Sequence, residues 1–320
     1  MLTQKEYSEI VNRHISAIKY PARPAGLYEP IAYTMALGGK RLRPTLVMMA
    51  CDALGGESGK ALDVAAGLEM FHNFTLLHDD VMDKADVRRG KPTVHVKWND
   101  NTAILSGDAM LTMATQLVAT GPKEVMALFN RTAMEIYEGQ QYDVDFETRD
   151  DVTVDEYIEM IRLKTSVLLG CACAMGAMMA GADAEKVETI YKYGENIGLA
   201  FQLEDDMLDV WGDEATFGKA IGGDIMNNKK TFLLISAMNM ASGADKEALE
   251  RWLAAENPEW DEKVNAVRGI YERLGLRALA QAKILEYTGK ALAELSKLGL
   301  GGKEHDAFAE FAHKLVGRSS

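Results

Sequence analysis

Glu69-Met-Phe-His-Asn-Phe-Thr-Leu-Leu-His-Asp-Asp-Val-Met-Asp83 is the stretch on which the reading of this chain turns. Apolar residues recur every three or four positions and no proline or glycine interrupts them, so the spacing predicts a helix. On a helix Asp79 and Asp83 are four apart and share a face, and His72, seven residues before Asp79, lies on the same stripe. The arrangement returns in Gln202, Asp205, Asp206 and Asp209 at spacings of three, four and seven. Both helices therefore carry Asp-Asp-x-x-Asp.

An acidic stripe on one helix is usually a solvated face. Two stripes with the same spacing argue otherwise, because each is embedded in apolar residues: Phe74, Leu76, Leu77 and Val81 around the first, Phe201, Leu203, Met207, Leu208 and Val210 around the second. Half-buried carboxylates repel one another unless protonated or matched by cations. Donors that are all oxygen point to a hard ion, magnesium before others, which takes a few carboxylates together with substrate phosphates.

Outward from these segments, proline is absent from Lys123 through Asn257, and helical spacing runs through Val125, Leu128, Phe129, Ala133, Ile136 and Tyr137. It recurs in Ile284, Tyr287, Ala291, Leu292, Leu295 and Leu298. Sustained alternation and Asn-Gly or Asp-Gly hairpin turns are both missing, so the expected fold is all-α. Polar breaks fall at Leu54–Gly59, Lys84–Pro92, Asp143–Val152 and Trp211–Lys230. None resembles a linker, and a single helical domain over 1–320 is expected. Thr165 to Ala182 carries no charge, but it is too short and too rich in Ala, Gly, Met and Cys for a membrane span, and reads as a buried core helix.

The 320 residues carry 35 basic against 48 acidic side chains, a formal charge of -13 that excludes a nucleic-acid-coating surface. Cys51, Cys171 and Cys173 form no CxxC pair, which fits small core residues in a reducing compartment better than a disulfide framework. Lys5, Glu6 and Glu9 stand where a signal peptide needs an apolar stretch, so the expected location is cytoplasmic. Cations nevertheless cluster where a phosphate would need them: Gly38-Gly39-Lys40-Arg41-Leu42-Arg43-Pro44, Arg88-Arg89-Gly90-Lys91-Pro92 after the first aspartate helix, and Lys219, Lys229 and Lys230 after the second.

In order along the chain, GGKRLRP, the His72–Asp83 helix, RRGKPTVH, Gly139-Gln140, Lys164-Thr165, FQLEDDMLD, and FGK followed by Asn228-Lys229-Lys230 resemble the trans-type prenyl diphosphate synthases, or polyprenyl synthetases. The likeness covers nearly the whole chain. It implies an all-α helical bundle of the isoprenoid synthase type with a central diphosphate and metal cavity. The implied reaction is a prenyltransferase condensation: an allylic diphosphate ionises, its carbocation alkylates isopentenyl diphosphate, and a proton is lost.

By the same resemblance Asp79, Asp83 and Asp205 ligate magnesium, three ions with the allylic diphosphate, while Asp80, Asp206 and Asp209 assist through metal or bound water. Arg88, Lys164, Lys219 and Lys229 hold the allylic diphosphate. Lys40, Arg43, His72 and Arg89 hold isopentenyl diphosphate, and Thr165 and Gln202 direct oxygen dipoles at the developing cation. His95 is expected to be structural. Ala220 and Gly223 depart from the family pattern, which has Pro and Lys there.

In terms of the same resemblance, Phe74, about 7.5 Å upstream of Asp79 along the helix axis, is the expected floor for the growing chain, with Thr75 beside it and Phe71 as a deeper floor. That combination resembles geranylgeranyl-type short-chain enzymes, so the resemblance implies geranylgeranyl diphosphate as product, with farnesyl or longer products as alternatives, and a homodimer. Two readings from other classes are a noncatalytic subunit of a heteromeric synthase and a di-iron bundle using the ExxH pairs Glu69/His72 and Glu310/His313. The second leaves both aspartate motifs unexplained.

Overall fold

The computed structural model describes residues 1–213 and 221–317. Lys219, Ala220 and Arg318 lie outside the described residues. The chain divides into two compact units, one built from Met1–Arg131, Cys171–Tyr191 and Leu298–Ala307, the other from Thr132–Gly170, Lys192–Lys297 and Phe308–Ser320.

The first unit opens with α1 (Gln4–Ala17), α2 (Ala25–Ala36), α3 (Leu42–Ala53) and α4 (Leu62–Met82). Thr3 caps α1 and Glu6 reaches back to the Thr3 backbone, a reciprocal capping box that satisfies two otherwise orphaned donors. Helix α4 is buried on nearly every side, through Val64, Ala65, Leu68, Met70, Phe71, Phe74 and Leu77, and forms the axis of this unit. It packs most extensively on α6 (Asp100–Val118), which follows the short α5 (Val94–Lys97). Gly67 permits that approach, since a Cβ there would sit 2.9 Å from the Ala114 carbonyl oxygen.

The fold is all-α as expected, with a small hairpin added to the helices. Strands β1 (Val87–Arg88) and β2 (Lys91–Pro92) pair antiparallel, and the turn residues Arg89 and Gly90 both have positive φ, 52° and 72°. Two-residue strands are too short to show alternation, and the primed turn that joins them uses Arg-Gly instead of the commoner Asn-Gly.

Helix α7 (Lys123–Glu147) leads from the first unit into the second. It runs past Asp143, where a break was expected, and ends at Glu147. In the second unit a capping box of Thr153 and Glu156 starts α8 (Val154–Ile161), followed by one π turn (Arg162–Ser166) and the start of α9 (Val167–Met179), which from Cys171 on belongs to the first unit. This run, Val154–Met179, is the one described helical stretch long and apolar enough to cross a membrane, and it is mostly buried inside the protein.

Helices α10 (Ala184–Trp211), α11 (Gly223–Met226), α12 (Phe232–Met240), α13 (Gly243–Leu253), α14 (Trp260–Arg273), α15 (Leu276–Lys297) and α16 (Gly302–Val316) complete the described elements. The core of the second unit gathers Tyr157, Met160, Leu203, Val210, Leu233, Val267, Tyr271 and Ile284. Here glycine again sets the closest approach: a Cβ on Gly198 would lie 2.6 Å from the Cα of Ser166, so α10 meets the π turn backbone to backbone.

Cys51, Cys171 and Cys173 are free and buried, as small core residues should be. Gly176 on α9 packs against α3, with an added Cβ falling 2.8 Å from the Ala50 Cβ and closer still to the Val47 carbonyl oxygen. Gly176→Ala should therefore overpack the first unit and cost about 1–3 kcal/mol, read as a lowered denaturation midpoint with unchanged helical circular dichroism.

Candidate active site

Both aspartate motifs stand at the wrong end of a helix for their charge. Asp79 and Asp80 occupy the last turn of α4 with Asp83 as its C-cap, and Asp209 lies in the last turn of α10 with Asp205 and Asp206 one turn earlier. Neither last turn contains a basic residue. The helix dipole places partial negative charge at this end, so carboxylates here are disfavoured until a cation arrives.

In the first unit the hairpin supplies one such cation. Asp80 is buried at 5 % exposure and accepts from Arg88, with Nη2 at 2.7 Å and Nε at 2.8 Å from Oδ1. Asp79 is half-buried and Asp83 exposed. Seven residues before Asp79, His72 faces a cavity of about 430 Å³ that Lys40, Arg43 and Arg89 also line. Arg43 Nη1 lies 3.2 Å from His72 Nε2, and since arginine can only donate, that ring nitrogen is the acceptor. Burial first, and then Arg43, Arg89, Arg88 and Arg41, hold the imidazole well below its ordinary pKa. Arg89 lies against Gly39, whose Cβ, if present, would fall 2.9 Å from the guanidinium carbon, and donates to the Gly38 carbonyl. All four residues expected to hold isopentenyl diphosphate thus line one basic cavity.

In the second unit Lys164 and Thr165 sit on the π turn, and Gly139 on α7 abuts the Lys164 backbone nitrogen with no room for a Cβ. Lys164 Nζ is 2.5 Å from Asp143 Oδ2, and Lys229 Nζ is 3.8 Å from the same oxygen. Burial alone would raise the Asp143 pKa, but the two lysine charges prevail and hold it below the usual range. Lys230 instead pairs with Asp150 at 3.6 Å, away from the lysine pair. Thr165 Oγ1 donates to Gln202 Oε1 at 3.1 Å, and Gln202 Nε2 to Asp206 Oδ1 at 3.0 Å. Tyr157 donates to the other Asp206 oxygen. Burial, then the charge of Asp224, pushes the Asp206 pKa up to about 7.

Three residues of this network escaped the sequence reading. Asp143 opens a polar run that reads as a break, yet it lies on α7 four residues after Gly139. Tyr157 and Asp224 gave none, because their roles arise from packing across elements. His95 is held by Thr93 at 3.1 Å within its own turn, as a structural residue would be. The chain-length candidates stack along α4: Phe71 meets Phe74 at 5.7 Å and Phe129 at 5.1 Å between centroids, Phe74 meets His78 at 4.8 Å, and Thr75 donates to the His72 carbonyl. The di-iron pairs do not form ligand sets, since Glu69 is ion-paired with Arg41 and the exposed Glu310 with Lys314.

A model of the polyprenyl synthetase family matches residues 24–271. A short chain isoprenyl diphosphate synthase of Methanothermobacter thermautotrophicus is 38% identical over 300 residues, covering 92% of this chain and 91% of that protein. A crystal structure of a geranylgeranyl pyrophosphate synthase superposes with a TM-score of 0.93 at 46% identity over 100% of both chains. That of a polyprenyl synthase from Caulobacter crescentus, complexed with calcium and isoprenyl diphosphate, does so with 0.90 at 30% identity, covering 99% of this chain and 96% of that one. The all-helical fold is that of the isoprenoid synthases. The chain belongs to the polyprenyl synthetase family and is a prenyltransferase.

Among the described residues no three His, Cys, Asp or Glu side chains converge as a ready-made metal cage. The donor chemistry still fits magnesium, which is bound by one or two carboxylates plus phosphate oxygens instead of an all-protein cage. The Asp206 pKa is raised by burial and then by the Asp224 charge, both of which penalise an ionised carboxylate that has no cation beside it.

A carboxyl with a raised folded pKa binds its proton more tightly folded than unfolded, so its stabilising contribution is present below about pH 4 and is lost as pH rises through about 7. Asp206→Asn removes that dependence. In a chelating buffer the stability of the variant relative to wild type should grow between about pH 4 and 7, by at most about 1.4 kcal/mol per pH unit, and level off above. Chemical denaturation across that range measures it, and a constant difference would refute the assignment.

Proposed function

We propose that this chain condenses isopentenyl diphosphate with an allylic diphosphate head to tail (1′-4), releasing diphosphate and extending the prenyl chain by five carbons to geranylgeranyl diphosphate. The observation that carries this reading is the basic cavity of Lys40, Arg43, His72 and Arg89, to which the helix of the first aspartate motif contributes His72. Three cationic side chains beside a neutral imidazole, with the one wall carboxylate, Glu69, engaged by Arg41, suit an intact diphosphate that is held, not hydrolysed.

Magnesium, when bound, supplies charge neutralisation for the departing diphosphate. Asp79, Asp83 and Asp205 would ligate it, with Asp80, Asp206 and Asp209 assisting. Arg88, Lys164 and Lys229 would hold the allylic diphosphate, together with Lys219. Asp143 keeps Lys164 and Lys229 close together until an anion with more charge competes for them. Thr165 and Gln202, already hydrogen-bonded to each other, would present oxygen dipoles to the allylic cation, a fixed stabilisation that needs no reorganisation at the moment of ionisation. Low pKa keeps His72 neutral, so it serves as a polar contact and not as a base. Proton loss falls to the released diphosphate. We place the chain in the cytoplasm, as one catalytic domain over 1–320 that works as a homodimer.

Purified protein incubated with isopentenyl diphosphate, magnesium and dimethylallyl, geranyl or farnesyl primer should yield a C20 diphosphate. No elongation from any primer would sink the proposal. Asp79→Ala and Asp205→Ala should each lower kcat by at least about 10²-fold, the scale for removing a preorganised electrostatic group. Phe74→Ala should shift products beyond C20, because it opens the aromatic stack beneath the motif; a product profile identical to wild type removes Phe74 as the floor.

A further inference from the structure

Arg41 stands in sequence between Lys40 and Arg43, yet its guanidinium is turned into the protein. Its side chain is 3 % exposed, and Nη1 donates to Glu69 Oε1 at 2.7 Å. Nε donates to Asn12 Oδ1 at 3.0 Å and Nη2 to the Met35 carbonyl at 2.8 Å. One planar fork thereby ties three elements: α1 through Asn12, the end of α2 through Met35, and α4 through Glu69. Glu69 is buried to the same degree, and its Oε1 also accepts from Asn73 Nδ2 at 3.2 Å.

The backbone explains why this segment needs holding. Gly38, Gly39 and Arg41 have φ of 78°, 132° and 48°, the last being left-handed for a residue with a Cβ, and Arg41 is the N-cap of α3 without a side-chain cap. Such a conformation costs free energy and persists only where its surroundings enforce it. A glutamate in the wall of an anion cavity is otherwise unfavourable, because its charge opposes the ligand. Its spacing of three from His72 puts both on one face of α4, so Glu69 anchors the segment while His72 meets Arg43.

We propose that Arg41 is a positioning residue: its buried ion pair with Glu69 fixes the Gly38–Arg43 segment in the arrangement that offers Lys40 and Arg43 to isopentenyl diphosphate. The inference rests on the function proposed above. Glu69 contributes through Arg41, which lines the same cavity but spends its guanidinium nitrogens on Asn12, Glu69 and the Met35 carbonyl. Removing either member leaves the other charge buried and unmatched, which favours a rearranged segment.

Glu69→Gln separates this from a purely Coulombic role. Deleting a negative charge beside an anion site should by itself tighten isopentenyl diphosphate binding, whereas loss of positioning should weaken it. We expect Glu69→Gln and Arg41→Lys each to raise the Kd and KM for isopentenyl diphosphate about tenfold or more, the scale of a roughly 1 Å misplacement or less. KM for the allylic primer should stay within about twofold and saturated kcat within about threefold, since the lost interaction belongs to one substrate. Asn12→Ala, a milder change at a half-exposed position, should raise the same Kd about threefold by removing one of the three fork contacts. Isopentenyl diphosphate affinity that is unchanged or improved in Glu69→Gln, or KM values that rise equally for both substrates, overturn the proposal. Should the two buried variants fail to fold, an unchanged Kd in Asn12→Ala overturns it alone. A wild-type chain that binds no isopentenyl diphosphate would instead defeat the functional reading.

Discussion

Carboxylates gathered at the negative ends of two helices are the constraint on which the rest of this protein depends. Asp79, Asp80 and Asp83 close α4, and Asp205, Asp206 and Asp209 stand in the last two turns of α10, with no basic residue in either terminal turn. Helix dipole and mutual repulsion both oppose that arrangement. The fold answers with protein donors: Arg88 on Asp80, Tyr157 and Gln202 on Asp206, the Asp224 amide on Asp209. These partners restrain the charge without cancelling it, as the elevated pKa of Asp206 records. An acidic chain can thus be built to take a polyanion, provided hard cations come with it.

The complementary charge is delivered on irregular backbone. Lys40 leaves a segment with three left-handed residues that ends in the first turn of α3 at Arg43; Arg88 and Arg89 leave a hairpin of two-residue strands, and Lys164 a π turn. Regular helices bury their own donors and pack by apolar faces, so groups that must reach a ligand are placed where the ladder is interrupted. Glycine makes each interruption possible at a point of close approach: Gly39 beneath the Arg89 guanidinium, Gly139 against the Lys164 backbone, Gly198 against Ser166.

Much of the site was legible in the sequence because its chemistry is periodic. The two Asp-Asp-x-x-Asp stripes and the His72 stripe are local patterns, and each lies on the helix that its spacing predicts, while the GGKRLRP segment was legible from its run of cations. The hairpin was not legible, since strands of two residues leave no alternation to detect. Asp143 was missed because a polar run at Asp143–Val152 resembles loop, while tertiary packing carries α7 on to Glu147.

The net charge of -13, the absence of strand periodicity and the positions of the chemical groups along their helices were determined by the sequence alone. Tertiary structure decided which groups meet. It turned the Arg41 guanidinium onto Glu69 in the wall of the cavity that Lys40 and Arg43 also line, joined Lys164 and Lys229 through Asp143, and buried Asp206 beside Asp224 so that its pKa is raised. The physical reason is range. Helical periodicity is set by neighbours three and four residues away, whereas burial and charge pairing are set by residues 28 or 86 positions apart in sequence, which only packing brings into contact.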